Sequence, residues 1–327
     1  MRIYLVSPAS TAGRTGNATT VERWARLLRD LGHRVRVRSD YGSEDADLLV
    51  ALHARRSAES VERFATALPG RPIVLALTGT DLYHDIHHDP RASRTLERAT
   101  AFVLLQALGL DQLPEHLRHR AWVIHQSAVP PPSVPRPLAT CFEVCVAANL
   151  REVKDPLRAA EAARLLPATS RVLVSHIGHA LDHELEARAR AETASNPRYR
   201  WLGGRPPRRA LRLIGRSRLL VLSSLSEGGA NVVSEAISMG VPIVSSRIAG
   251  SVGILGSDHP AYFAPGDTEE LATLLARAER EPPWLDDLRD RSLRLRPLVE
   301  PSRERGSWAR LLAAVVAAPS APKPAAS

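Results

Sequence analysis

Apolar positions along this chain of 327 residues cluster into short runs with little alternation, separated by longer stretches of mixed polarity. The first 126 residues carry "RIYLVS", "HRVRVRS", "DLLVAL", "RPIVLALT", "AFVLLQ" and "AWVIHQ". Short aliphatic runs of this kind are the mark of strands buried on both faces, and their alternation with helical stretches predicts a parallel sheet covered on both sides. The pattern then breaks at "AVPPPSVPRPLAT", residues 128–140, which holds five prolines. Proline removes a backbone donor and fixes φ, so this segment continues neither helix nor central strand and reads as a stiff linker. A second series follows with "FEVCVAA", "RVLVSHI", "RYRWLG", "RLLVLSS" and "VPIVSS", and it ends in helices that include "SWARLLAAVV".

The expected architecture is therefore α/β. It consists of two doubly wound, Rossmann-like domains, residues 1–127 and 141–317, joined by the 128–140 linker and followed by a disordered tail, residues 318–327. In such folds ligands bind at the carboxyl ends of the strands, so a cleft between the two sheets is the expected site.

Composition removes several functions. No apolar run approaches the length of a bilayer span, and "MRIYLVSPAS" reads as a first strand rather than a signal peptide. A cytoplasmic location without membrane insertion is the default expectation. The formal charge is +9, but only Lys154 and Lys323 are lysines, which leaves 42 arginines among the 44 basic residues. These are spread over many helical stretches with few interleaved aromatics, so nucleic acid is not an expected partner. Cys141 and Cys145, in "TCFEVCVAA", would lie roughly 13 Å apart on a strand, too far for a disulfide; they read as small core residues.

The chemistry concentrates in "SLSEGGANVVSEAISMGVPIVSS", residues 224–246. "RLLVLSS" predicts a buried strand ending at Ser223 and Ser224. A helix is expected from Val232 to Met239, with Asn231 as N-cap, Gly240 at the left-handed C′ position and Pro242 beyond. Gly228 and Gly229 then form a strand-to-helix turn, followed by Ala230 and Asn231. Such a turn puts backbone N–H groups and the positive end of a helix dipole where a phosphate can sit. Glu227 stands before the turn and Glu235 about one helical turn after it, so each carboxylate can accept hydrogen bonds from hydroxyls on either side of a diphosphate. A sugar at each end of a diphosphate fits this arrangement.

The same stretch resembles the E-x7-E signature of family 4 retaining glycosyltransferases, which have the GT-B fold. The resemblance implies that Glu227 contacts the donor sugar and Glu235 the ribose of a nucleotide. "ANLREVKDPL" resembles the segment whose Arg and Lys meet the donor diphosphate, here Arg151 and Lys154, although the Arg spacing departs from the commoner pattern. "YRWLGG" resembles the strand end whose backbone reads the base, near Leu202, Gly203 and Gly204, and "GDTEELATLL" the segment before the closing helices. Such enzymes need no cofactor or bound metal; a UDP-sugar is substrate.

The first half is closer to one subgroup. "TGNATTVERWARLLRDLGHRVRV", "LVALHARRSAES" and "LALTGTDLYHDI" resemble the selenosugar synthases of selenoneine biosynthesis. The resemblance implies transfer of a hexose, of glucose or N-acetylglucosamine type, from a UDP-sugar to the selenium of selenophosphate. An anionic acceptor calls for cations and donors at strand ends. The candidates are His53, Arg55 and Arg56 in "LHARRS", Thr78, Gly79 and Thr80 in "TGTD" with its hydroxyls and backbone N–H groups, and the loop with Gly13, Gly16 and Asn17. "DLYHDIHHDP" places His84 and His88 at i,i+4, a spacing that could hold a metal but reads better as a polar helix start. Other readings of the same sequence are an ordinary transferase acting on a hydroxyl, a sugar-nucleotide epimerase or hydrolase, and a binding protein without turnover.

Overall fold

The computed structural model describes residues 1–8 and 16–317. Gly13 and the tail 318–327 lie outside the described residues. The chain forms two compact units, one from Met1–Gln126 together with residues from Pro301 onward, the other from Ser127–Glu300.

The first unit contains β1 (Arg2–Val6), α1 (Gly16–Asp30), β2 (Arg34–Arg38), β3 (Leu48–Leu52), α2 (Ala58–Ala67), β4 (Ile73–Leu77), α3 (Ile86–His88), α4 (Pro90–Arg98), β5 (Ala101–Leu104) and β6 (Ala121–Val123). The second contains β7 (Phe142–Ala147), α5 (Arg158–Arg164), β8 (Val172–Ile177), α6 (His183–Ser195), β9 (Tyr199–Trp201), α7 (Pro207–Arg216), β10 (Leu219–Leu222), α8 (Asn231–Met239), β11 (Ile243–Ser246), α9 (Ala249–Leu255), β12 (Tyr262–Phe263), α10 (Thr268–Arg280) and α11 (Pro282–Arg294). A last helix, α12 (Pro301–Ala317), belongs to the first unit.

Each unit is built on a six-stranded parallel sheet, in the order β2-β1-β3-β4-β5-β6 and β12-β11-β10-β7-β8-β9. Burial follows the sequence pattern. The unbroken apolar runs β3 and β4 lie inside and are buried at every position. Alternate β3 residues enter opposite cores: Leu49 and Ala51 pack on one face, Leu48, Val50 and Leu52 on the other. The alternating "RVRVR" of β2 forms an edge with its arginines outward, where charge discourages pairing with another chain.

The sequence assigned all the closing helices to the second domain. α10 and α11 do pack there, but α12 returns to the first unit. Trp308 stacks edge-on against Trp24 with ring centroids 4.9 Å apart. The buried carboxylate of Glu304 accepts hydrogen bonds from Trp24 Nε1 at 2.7 Å and Arg23 Nε at 3.1 Å. An amphipathic helix specifies that it must bury a face, but not which sheet will cover it. The proline-rich segment forms no helix or strand and counts with the second unit, where Val134 lies against Gly215.

Candidate active site

In each sheet the strand order reverses direction once, and loops leaving the carboxyl ends on either side of that point diverge and leave room for a ligand. In the second unit the point lies between β10 and β7. The loop after β7 carries Arg151 and Lys154, and the loop after β10 carries Glu227. The fold therefore brings together two motifs that lie far apart in sequence.

Local bonds bind the two loops. Leu225 N donates to Val153 O at 2.9 Å, and Ser223 Oγ donates to Asp155 O at 2.7 Å. Asp155 turns the chain with φ +41°, a conformation that Asp tolerates better than most residues. Lys154 Nζ donates to Glu227 Oε1, and Ser224 Oγ donates to the same oxygen at 2.7 Å. The Glu227 side chain is 10% exposed. One oxygen is thus saturated from within, while Oε2 has no protein partner among the described residues and remains available to a hydroxyl. The Arg151 guanidinium, half-buried, also has no partner among the described residues.

Behind Glu227 the packing is tight. Ser246 Oγ, at the end of β11, donates to Ser224 O at 2.6 Å. A Cβ placed on Gly250 would come within 2.1 Å of Glu227 O. Ser224, Ser246 and Gly250 are parts of the site that sequence reasoning missed. The only signals were the serine pairs ending "RLLVLSS" and "VPIVSS" and the glycine in "RIAGSVG".

The helix after the glycine turn starts one residue earlier than expected. Ala230 occupies the N-cap with φ −79° and ψ 118°, and Asn231 is the first helical residue. Asn231 was the expected cap because its side chain can accept from the first turn; Ala230 has no side-chain acceptor, so the extended backbone alone sets the start. Gly228 is buried, Gly229 half-buried. Gly240 ends the helix in the left-handed conformation, φ 67°, as expected. Val233, Ala236 and Ile237 anchor α8 in the core, which leaves Glu235 half-buried on the side away from that anchor.

The strand end near Leu202 and Gly203 is similarly compact. Leu202 N donates to His176 O at 2.8 Å, and Gly178 N donates to Gly203 O at 3.1 Å. Gly203 has φ +69°, and a Cβ on Gly204 would lie 2.1 Å from the His179 ring.

In the first unit the reversal lies between β1 and β3. Gly16 and Asn17 open α1 after β1, His53 to Arg56 follow β3, and Thr78 to Thr80 follow the next strand. His53 is a non-glycine residue at φ +73°. It is almost fully buried, and Thr80 Oγ1 lies 3.4 Å from its Nε2. Burial lowers its pKa, against the opposing charges of Asp81 and Asp85, which favours the neutral ring.

Two expectations change here. Arg55 was expected to face an anion, but Arg55 Nε donates to Asp85 Oδ2 at 3.1 Å, and Asp89 lies 4.0 Å away. Those carboxylates follow β4 and reach back to the end of β3, so Arg55 is ion-paired while its side chain stays 47% exposed; Arg56 is exposed and its guanidinium has no partner among the described residues. The Thr78 and Gly79 N–H groups donate to Asp81 Oδ1 at 3.0 and 2.8 Å. A buried carboxylate needs such donors, so the turn presents its threonine hydroxyls rather than backbone N–H groups.

The His84 and His88 rings lie tilted against each other with centroids 4.9 Å apart. No group of three or more His, Cys, Asp or Glu that could hold a metal ion occurs among the described residues. Among them, too, no helix is long and apolar enough to cross a membrane.

Parallel sheets of this order in two units, with carboxylates and cations at a strand-order reversal, define a GT-B α/β fold. Residues 139–293 match the family model described as glycosyl transferases group 1. The matched residues all lie within the second unit. No curated protein sequence matches the chain significantly. Solved structures share the fold at low identity. Anabaena HepE in complex with UDP-glucose is 15% identical, with 95% of this chain and 99% of that chain covered and a TM-score of 0.76. Sucrose-phosphate synthase from Thermosynechococcus elongatus is 13% identical, with 97% and 99% covered and a TM-score of 0.74. A UDP-forming α,α-trehalose-phosphate synthase from Burkholderia vietnamiensis is 14% identical, with 93% and 76% covered and a TM-score of 0.67.

Proposed function

We propose that the protein transfers a hexose from a UDP-sugar to the selenium of selenophosphate. The observation that carries the transferase reading is the Lys154–Glu227 pair at the β10/β7 reversal, within a match to the group 1 model. The donor choice is supported by the UDP and UDP-glucose complexes of HepE.

In this reading Glu227 Oε2 accepts from a hydroxyl of the donor hexose and Glu235 from the ribose. Leu202 and Gly203 meet the base. The diphosphate lies against the turn formed by Gly228, Gly229, Ala230 and Asn231 at the start of α8. As the bond from sugar C1 to the diphosphate oxygen breaks, its electron pair stays on UDP. Lys154 and Arg151 stabilise that growing charge, which is greater in the transition state than in the bound donor. A selenium lone pair forms the new bond to C1. Selenophosphate is already anionic, so no base has to remove a proton from the attacking atom. Arg56, Thr78 and Thr80 supply a cation and hydroxyls to the acceptor, together with Gly16 and Asn17; His53 and Arg55 shape that loop, and Gly79 lets it turn. The acceptor assignment rests on the resemblance of the N-terminal strings and on these groups.

The experiment is mass spectrometry of UDP-glucose and UDP-N-acetylglucosamine incubated with and without selenophosphate. The expected products are UDP and a hexose bonded to selenium. Glycosylation of an ordinary alcohol instead would leave only the transferase reading. UDP or an epimerised sugar formed without acceptor would overturn transfer itself, and tight donor binding without any product would make this a binding protein.

A further inference from the structure

Arginine abounds in this chain, and most of its helices match it with acid. Arg190 pairs with Glu186 on α6, Arg277 with Glu281 from α10, and Arg291 with Asp287 on α11, each one turn away. Helix α7, "PRRALRLIGR", contains no acidic residue. Its arginines at 209, 212 and 216 fall at i, i+3 and i+7, so they share one face, and Arg205 just before the helix extends the same stripe.

These four arginines line a single cavity of about 390 Å³ in the second unit. Its apolar walls come from Pro135, Ile177, Leu202 and Leu213. Arg216 is partly committed, since Nε and Nη2 donate to the buried Glu143 carboxylate at 2.8 and 2.9 Å. That carboxylate is shared with Arg200, whose Nη2 donates to Oε1 at 2.7 Å, so it cannot neutralise the stripe. Arg205, Arg209 and Arg212 are exposed, with no hydrogen-bond or ion-pair partner for their guanidinium groups among the described residues.

The cavity is not the phosphate site of the Lys154 and Glu227 loops. α7 follows the carboxyl end of β9 and leads to the amino end of β10, so the stripe begins beside Leu202 and runs toward the amino edge of the sheet, and neither Lys154 nor Glu227 lines the cavity. Arg205, Arg209 and Arg212 form a row that begins ahead of the helix and continues into its first two turns.

We infer that this cavity binds a small ligand carrying several linked phosphates. Guanidinium forks suit phosphate oxygens and can hold them bidentately. Three unneutralised cations along one face favour a chain of charges over a single anion. Beside Leu202, which borders the donor-base site, the apolar walls of Pro135, Ile177 and Leu213 leave room for an uncharged body attached to the phosphates.

The test is calorimetric titration of the full chain with inorganic tripolyphosphate. It is repeated with orthophosphate, with anionic phosphatidylglycerol vesicles, and on two variants. The wild-type protein is expected to bind tripolyphosphate saturably and orthophosphate much more weakly. Arg209→Gln with Arg212→Gln, both at exposed positions, is expected to raise the Kd for tripolyphosphate about tenfold or more, because charge-assisted bonds are lost. Lys154→Ala is expected to remove at most a second, separate binding event at the strand ends and to leave the arginine-dependent one. The inference is overturned if Lys154→Ala abolishes binding while the arginine variant retains it, since the anion would then occupy the strand-end site. It also fails if orthophosphate binds as tightly, or if vesicles bind while tripolyphosphate does not, which would make the stripe a membrane-facing surface.

Discussion

At the residue scale, the site depends on one carboxylate held from two sides. Lys154 and Ser224 both donate to Glu227 Oε1, which orients Oε2 before any ligand arrives. In the proposed reaction Lys154→Ala lowers kcat more than it raises the donor KM, because the charge that Lys154 meets grows toward the transition state. Steady-state kinetics decide this, and a raised KM with unchanged kcat would contradict the role. Gly250→Ala forces a Cβ against Glu227 O, and the obstacle is backbone rather than a flexible side chain. The expected result is a loss of turnover of about tenfold or more, roughly 1.4 kcal/mol of lost positioning, with circular dichroism unchanged. Full activity would show that the Glu227 loop tolerates displacement. Glu227 stood out in the sequence because a carboxylate before a Gly-Gly turn suits a sugar beside a phosphate, and Lys154 through the resemblance of its segment; the fold brings the two together. Gly250 was not, because its importance lies in a contact with a residue 23 positions earlier that no local pattern encodes.

At the element scale, helix α8 was legible at its end and less so at its start. Gly240 imposes the stop by itself, since its φ of 67° is costly for other residues. The start depends on backbone geometry at Ala230, and the preference of Asn for caps pointed one residue too far. Glu235 on this helix is assigned to the ribose. Glu235→Ala is expected to weaken UDP-sugar binding by roughly 1.5–3 kcal/mol, the worth of a hydrogen bond to a charged group; unchanged affinity by calorimetry would refute the assignment. The ends of β7 and β8 are tied by His176. Its Nε2 lies 2.8 Å from Ala148 O and its Nδ1 2.7 Å from Tyr199 Oη. A carbonyl can only accept, so Nε2 carries a proton, and in the neutral ring Nδ1 accepts from the Tyr199 hydroxyl. Burial lowers its pKa from 6.5 to about 4. Between those values the unfolded chain binds more protons than the folded one, so stability is full above 6.5 and is lost as pH falls toward 4, by up to about 3 kcal/mol. Denaturant unfolding of wild type and His176→Gln at pH 7.5 and pH 5 checks this. The wild type is expected to lose stability on acidification, and the variant to lose markedly less.

At the scale of the whole molecule, the last helix belongs to the first unit. Removing Trp308 therefore weakens the first core, not the second. Trp308→Ala is expected to cost about 3–5 kcal/mol, as for large-to-small changes at buried aromatic positions. Hydrogen exchange should show lost protection in β1, β3 and α1 with β7 and β10 little affected; loss centred on the second sheet would contradict the assignment of α12. The chain passes between its units at residues 126–127 and again at 300–301, and only the first passage carries a compositional mark.

The sequence by itself determined the two parallel sheets, because runs such as "LLVAL" and "IVLAL" can only be satisfied by burial on both faces; it marked Glu227 and Glu235 as candidates through charge and glycine placement, and Lys154 only through the resemblance of its segment. Tertiary structure alone decided that Arg55 pairs with Asp85 and that α12 covers the first core. In both cases the partner lies on a different element, and whether a charge or an apolar face is spent or available depends on which groups the strand order brings beside it.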